Sequence, residues 1–562
     1  MVFDEKKKLI NLKLFPRSPL LFFLVLLMTG CSSLPTNNHD ITPTLGSMTV
    51  TPTSFQPQSR KLFLSSGVPD DWKQQLVNLG IIELTNSPAQ GNLRLSQSSP
   101  SNGEVIFAKF SLTYAVAVPF PTVDDEISVN ELRNLWEGKP QVDYNELFID
   151  ENTETVFTEF FGKDPSAAVS VLDKELIQGR VWEATSAVAI IPFEELNPRW
   201  KVLKMDGISP LDKPMDINRY PLTISYGLVG LSEDVTMVQP ATEEIMTLLP
   251  PTNRDESKMT IVITSGTTAL VRTTAYKIEN HGVDYPISEV KDWFTKADIR
   301  HVSNEISFTE DCPDPDPWTT SLRFCSREKY LPVFQNLGIN VVELTGNHLN
   351  DFGPEKLAET IGIYEKNNID YYGGGLNLID ARKPLKLDSN GNKIAFIGCN
   401  YVGPKTDFAT ETLAGAAPCD LPWLYEQIRL LKTEGYVVVT TFQHNEVYVY
   451  MYDEAYQSAF IDAAVAGADI IQGSQAHFPM GFEFSSNSLI HYGLGNFLFD
   501  QMDYPVEGTR REFIDRHVIY DGEYINTELL TALLTDWSKP VPMTNEERAQ
   551  FLVEIFKASK LR

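Results

Sequence analysis

The chain has 562 residues, 42% hydrophobic and 11% aromatic, a composition that supports a sizeable core and excludes a disordered chain. Its 47 Lys and Arg against 75 Asp and Glu give a net charge of −28, a field that repels polyanions and excludes nucleic acid as a partner. One core is excluded as well, because single cores stop growing at roughly 250–300 residues.

At the N-terminus, Lys6, Lys7, Lys8, Lys13 and Arg17 precede the apolar run LLFFLVLLMTGC, Leu20 to Cys31. This is the order of a secretory signal, and the run is short for a membrane span. Its close, Met28-Thr29-Gly30-Cys31-Ser32, resembles a bacterial lipobox, which implies that Cys31 carries lipid and becomes the mature N-terminus. Residues 1–31 are therefore expected to be a lipoprotein signal peptide, and the protein to sit lipid-anchored on the extracytoplasmic face of the bacterial cell membrane. A plain signal peptide that happens to end in Cys is the competing reading. Residues 32–59, rich in Ser, Thr, Pro, Asn and Gln, read as a flexible tether. Export places the other four cysteines in an oxidising compartment. Cys312 and Cys325 flank a Pro/Asp-rich loop, and Cys399 and Cys419 a Gly/Ala/Pro loop, so two local bridges are expected, although sequence does not fix the pairing. The absence of a CxxC spacing leaves thiolate zinc ligation without support.

Residues 60–250 mix short strands and helices into a smaller α/β module. In YAVAVPFPTVDDEISVNELRNLWEG, Tyr114 to Val118 form a strand, Ser128 and Glu131 a capping box, and Val129, Leu132 and Trp136 share a helical face. SAVAIIPFEELNPRWKVLKMDG reads strand, short helix, strand. Together these resemble, weakly, a type 2 periplasmic substrate-binding fold, which implies a hinged cleft; a structural module without a ligand is the alternative.

Residues 258–536 alternate apolar strands (MTIVIT, INVVELT, NKIAFIGCN, YVVVTTF, ADIIQGS, SLIHYGLGNF) with helices, one starting at Pro354 and another carrying Tyr456, Phe460 and Ala463. That pattern predicts a sheet buried between helical layers, with ligands held beyond the carboxyl ends of the strands. Asn347, His348 and Asp351 follow one strand, Gln443 and His444 another, and His477 a third; His491 and Asn496 surround the last. Only 8 His exist, so this sharing of strand exits marks a candidate site. His491, Phe497 and Phe499 read as core, and DCPDPDP as a solvated loop rather than a calcium site. Residues 537–562 read as a C-terminal helical tail.

GNHLNDFG, FQHNEVYVY, GADIIQGSQAHFP and IHYGLGNFLFD resemble, in order and spacing, the motifs of the CapA family of capsule and poly-γ-glutamate synthesis proteins. The resemblance implies a calcineurin-like metallophosphoesterase fold, a four-layer α/β sandwich with a divalent-metal site at one end. Imidazole and amide or carboxylate oxygen suit Mn, Fe or Zn, and two such ions about 3.5–4 Å apart clamp a phosphoryl group and activate water. Carried over, Asn347, His444 and His477 become metal ligands, Glu305 a looser one beside Asn304, His348 the catalytic imidazole and Asp351 its orienting partner. A buried His348–Asp351 hydrogen bond that merely fixes a turn is the bland alternative.

Two departures weaken this picture: Thr267 follows Gly266 where the family has Gly-Asp, and Gln475 replaces an imidazole. Metal is therefore possible, and its absence equally so. Two functions remain open. One is an envelope-anchored protein of anionic exopolymer synthesis or release, acting as a metal-dependent phosphoesterase-type hydrolase and meeting the polymer or its synthesis machinery. The other is a noncatalytic ligand-binding or scaffold lipoprotein with a degenerate metal site. Oligomeric state is left open.

Overall fold

Period-two alternation in the apolar strands sets the layers. In strand Met259–Ser265, Ile261 and Ile263 face helices Arg272–His281, Lys291–Thr295 and Pro354–Lys366, while Val262 faces the other way. In strand Asn392–Asn400, Ala395 and Ile397 face helices Leu421–Thr433 and Glu454–Ala466, while Ile394 and Phe396 meet Val262 in a shared interior. The order helix, sheet, sheet, helix follows, a four-layer α/β sandwich. The computed structural model describes residues 60–80, 82–139, 143–452 and 454–561. Cys31, the signal segment and the tether 32–59 lie outside the described residues.

The first sheet places Ile299–Asn304 and Val341–Glu343 parallel on one side of Met259–Ser265, and the antiparallel pair Arg511–Tyr520 and Glu523–Thr535 on the other. The second runs Leu385–Ser389, Asn392–Asn400, Val437–Gln443, Ile470–Ser474, Ser488–His491, Phe482–Ser485. SLIHYGLGNF, a single apolar run in the sequence, is divided: Ser488–His491 belongs to the second sheet, and Asn496–Leu498 pairs with Thr267–Thr268 beside the first. Gly495, at φ +81°, turns the chain between them, and a Cβ on Gly266 would lie 2.0 Å from the Gly495 carbonyl oxygen, so only glycine permits this approach.

The smaller module is built on two long antiparallel strands, Glu104–Pro119 and Thr223–Leu231, which join shorter strands on either side. The Ser128–Glu131 capping box opens helix Val129–Trp136, which buries Leu132, Leu135 and Trp136. Residues 60–561 form one compact unit, since Ala115, Ala117, Phe193 and Leu211 share a core with Ile261 and Ile514. Polar ties reinforce it: Asn526 Nδ2 donates to the Trp200 carbonyl at 2.7 Å, and Arg548 forks onto Asp125 at 2.8 and 2.9 Å. Asp125, flanked by Arg548 and Lys201, is held well below the usual carboxylate range even though burial alone would raise it.

The C-terminal segment begins not as helix but as strand Lys539–Pro542, which extends the first sheet; helix Asn545–Ala558 follows and closes the inter-sheet interior with Phe551, Leu552 and Ile555. Burial of each such side chain contributes about 1.5–3 kcal/mol. Cys312 is bonded to Cys325 and Cys399 to Cys419. Because the second bridge closes a separation of 20 residues, replacing Cys399 and Cys419 together by Ala is expected to cost about 3 kcal/mol, read as a lower denaturation midpoint without reductant.

Candidate functional site

The cluster is assembled by four strand exits and one glycine. Gly346 lets the loop after Val341–Glu343 press onto the neighbouring strand, since a Cβ there would lie 2.6 Å from Glu305 Cα. Asn347 is thereby set beside the fully buried Glu305. Gln443, the last residue of its strand, aims its amide nitrogen at both: Nε2 lies 3.2 Å from Glu305 Oε1, 3.0 Å from Asn347 Oδ1 and 2.9 Å from Gln475 Oε1. Two N–H bonds thus serve three oxygens, so one hydrogen is shared. Ser474 Oγ, 2.8 Å from Gln443 Oε1 and 2.9 Å from Glu343 Oε1, fixes the other end of the amide. Gln475 holds its place with φ at +63°, a strained value for a residue with a side chain and one that concentrates at functional positions.

His348 and His477 stand on this cluster's flanks, each with one nitrogen committed. His348 Nδ1 is 2.8 Å from Asp351 Oδ2, which also accepts the Phe324 N–H at 2.7 Å; the Phe324 ring edge packs on His348 at 4.7 Å. His477 Nδ1 is 2.7 Å from Asn496 Oδ1, and its ring stacks on Phe499 at 4.9 Å. Thr267 lies in register between Ser303 and Asn496, its hydroxyl buried without a hydrogen bond among the described residues.

His444 does not join them. In Val437–Gln443 the odd positions Val437 and Val439 face the inter-sheet interior and Val438 and Phe442 the helices, so Gln443 takes the site face and His444 the other. His444 Nε2 lies 2.9 Å from the Tyr492 carbonyl, and its ring packs on Phe460 and Tyr456. Strand parity thus places Gln443 in the cluster and turns His444, the expected ligand, away from it. Asn304 also turns away, donating to the Ile306 carbonyl at 2.6 Å and to the Tyr364 hydroxyl at 3.0 Å. His491 is a core residue, 2.6 Å from Asp515 between the sheets. Phe497 and Phe499 are both core residues, and the Phe499 ring also stacks on His477. Ser474 and Glu343 are the members that motif reading missed, while Gln443 and Asn496 were placed at strand exits without a role; counting by twos from Val437 gives Gln443 the inward position.

Electrostatically the cluster retains protons. Burial pushes the Glu305 carboxyl up to about 7, and burial likewise raises Glu343. Asp407, whose Oδ1 accepts the Asn350 N–H, is pushed up to about 6 by burial. Burial pulls the His348 imidazole down, but its bond to Asp351 and the charge on Glu305 more than offset this and leave it above its ordinary value. His477 is pulled down to about 4 by burial and stays neutral at pH 7.

A pair of divalent ions requires anionic and imidazole donors directed at common points. Here the three converging oxygens comprise one partly protonated carboxyl and two carboxamides, and the Gln443 nitrogen already occupies their focus. Among the described residues no group of three or more His, Cys, Asp or Glu side chains is placed to hold a metal ion. The residues present do not fit a metal pair.

Residues 261–501 match the family model described as bacterial capsule synthesis protein PGA_cap. This segment is similar to the CapA family. The capsule biosynthesis protein CapA of Bacillus anthracis is 27% identical to the chain over 267 residues, which cover 45% of this chain and 62% of that protein. The PGA biosynthesis protein CapA of Bacillus subtilis (strain 168) is 26% identical over 226 residues, 40% of this chain and 59% of that protein. The chain thus spans about six-tenths of the length of these CapA relatives. Among solved structures, the NAD nucleotidase of Haemophilus influenzae matches 54% of this chain and 57% of its own at 11% identity and a TM-score of 0.30. A phosphate transport receptor from Vibrio cholerae matches 34% of this chain and 97% of its own at 12% identity and a TM-score of 0.27. Neither likeness carries an argument. Among the described residues no helix is long and apolar enough to cross a membrane.

Proposed function

We propose that this protein takes part in synthesis or release of a capsule or poly-γ-glutamate-type exopolymer at the outer face of the bacterial cell membrane, held there by lipid on Cys31, and that its CapA-type site works without a metal pair. The CapA relatives, named for capsule and PGA biosynthesis, support the polymer. The lipid anchor rests on the lipobox-like close at Cys31, and the observation that carries the metal-free site is the Gln443 nitrogen within 2.9–3.2 Å of three oxygens, a neutral donor at the focus of the cluster. The site then acts as a binding or scaffolding surface, with the His348–Asp351 pair and Glu305 as its polar groups.

Deleting the gene is expected to lower cell-associated polymer, and the wild-type chain to restore it. A Glu305→Gln chain is expected to restore it equally, because it keeps an oxygen for Gln443 and removes only a charge that a metal would need. Failure of Glu305→Gln where the wild type succeeds contradicts the metal-free reading. His477 favours a second reading, a metal-dependent phosphoesterase-type hydrolase: its Nδ1 is held by Asn496 in the way an orienting partner holds a metal-bound imidazole. That reading requires manganese-dependent hydrolysis of a generic phosphodiester by the purified chain, lost on His477→Ala.

A further inference from the structure

We propose that a cavity of about 460 Å³ beside the site, lined by Arg272, Arg323, Phe324 and Phe352, is a carboxylate-binding subsite that receives one carboxylate of a γ-glutamyl chain. The choice of chain rests on the polymer reading above; the subsite itself rests on geometry.

Arg272 is built in rather than draped over the surface. Its φ of +43° is one that residues with side chains avoid. Its Nε lies 3.0 and 3.2 Å from the two oxygens of the buried Asp500, and Nη2 bonds the same carboxylate, which also accepts the Thr273 N–H at 3.0 Å. The guanidinium is sandwiched between rings, 5.0 Å from Phe324 and 4.9 Å from Phe499. Those rings contact His348 and His477 respectively, so Arg272 stands one ring away from both site imidazoles. Arg323, at an exposed position, is tied more lightly: Nε and Nη2 donate to the Asp351 carbonyl at 3.1 and 2.6 Å, and the guanidinium lies 4.9 Å over Phe352. Asp351 is the residue that orients His348.

In both arginines two nitrogens are fixed by protein, and Nη1 makes no hydrogen bond among the described residues. Two pre-positioned donors facing one cavity suit a planar carboxylate, at little ordering cost. The acids lining the cavity do not fill this role. Asp314 is paired with Arg327 at 2.5 Å, and Asp316 accepts the Trp318 N–H at 2.9 Å. Asp500 pairs with Arg272, and Asp314 and Asp316 line the same cavity, so the subsite recognises a single carboxylate by geometry rather than a polyanion by its field. This resolves how a chain of net charge −28 meets an acidic polymer.

The test titrates purified full-length chain in detergent with a short γ-glutamyl oligomer and, separately, with inorganic phosphate, by calorimetry. The wild type is expected to bind the oligomer, and R323Q and R272K each to weaken it about tenfold, the loss of one charge-assisted hydrogen bond. R323Q, at an exposed position, is expected to melt as the wild type does and keeps the test valid if R272K fails to fold. Oligomer binding absent from the wild type, or unchanged in folded R323Q, overturns the subsite. Arginine-dependent binding of phosphate without the oligomer overturns the carboxylate assignment. Polymer loss on gene deletion together with arginine-independent binding overturns the subsite and leaves the polymer role standing; arginine-dependent oligomer binding without a deletion phenotype does the reverse.

Discussion

Gln443→Leu is expected to destabilise the protein by about 3–5 kcal/mol, because each buried polar group left without a partner costs roughly 1–3 kcal/mol. The substitution strips the amide donor from Glu305, Asn347 and Gln475 and the acceptor that faces Ser474. Partial relaxation keeps the total below the sum of the separate losses. Urea titration monitored by tryptophan fluorescence reads the effect. Gln443→Glu goes further: it places a second carboxyl against Glu305, whose own carboxyl burial already holds near 7. That variant is expected to melt lower in chelator and to recover with added manganese, a cation dependence not expected of the wild type. Equal melting of wild type and Gln443→Leu would show that Gln443 does not hold the cluster together.

Glu512→Leu is expected to stabilise the protein by about 2 kcal/mol at pH 8, since it replaces a desolvated acid with an apolar group of similar size. Glu512 is completely buried, and neither carboxyl oxygen has a hydrogen-bond partner among the described residues. Burial raises it well above the ordinary carboxyl value of 4.5. The sign follows by linkage. Above pH 4.5 the unfolded chain releases this proton while the folded chain keeps it, so the folded state binds more protons and wild-type stability falls as pH rises. The variant removes this contribution to the slope. Stability measured from pH 5 to pH 8 should decline less in Glu512→Leu, and identical slopes would mean that Glu512 ionises freely in the folded protein.

The layers were legible because apolar strands buried on both faces leave near-continuous hydrophobic runs, and Pro354 and the Ser128–Glu131 pair mark helix starts locally. The site was legible as a place, at the strand exits, but not in full as a set of side chains. His444 attracted attention because imidazole is rare and ligates metals; strand parity gives the inward position to its neighbour Gln443, a residue type without a distinctive signal. The division of SLIHYGLGNF depends on Gly266 meeting Gly495, a contact between residues more than two hundred positions apart. Arg272 carried no cue either, since its role comes from rings contributed by Phe324 and Phe499. The cysteine loops, by contrast, announced their bridges by local spacing.

The most direct measurement is the metal content of the purified full-length chain after incubation with excess manganese or zinc and exhaustive desalting. With Gln443 at the focus of the oxygen cluster, and Thr267 and Gln475 where charged and imidazole donors were expected, the wild type should retain far less than one ion per chain. The double variant Thr267→Asp, Gln475→His should retain more. One or two ions retained per wild-type chain, and lost on His477→Ala, would contradict the metal-free site.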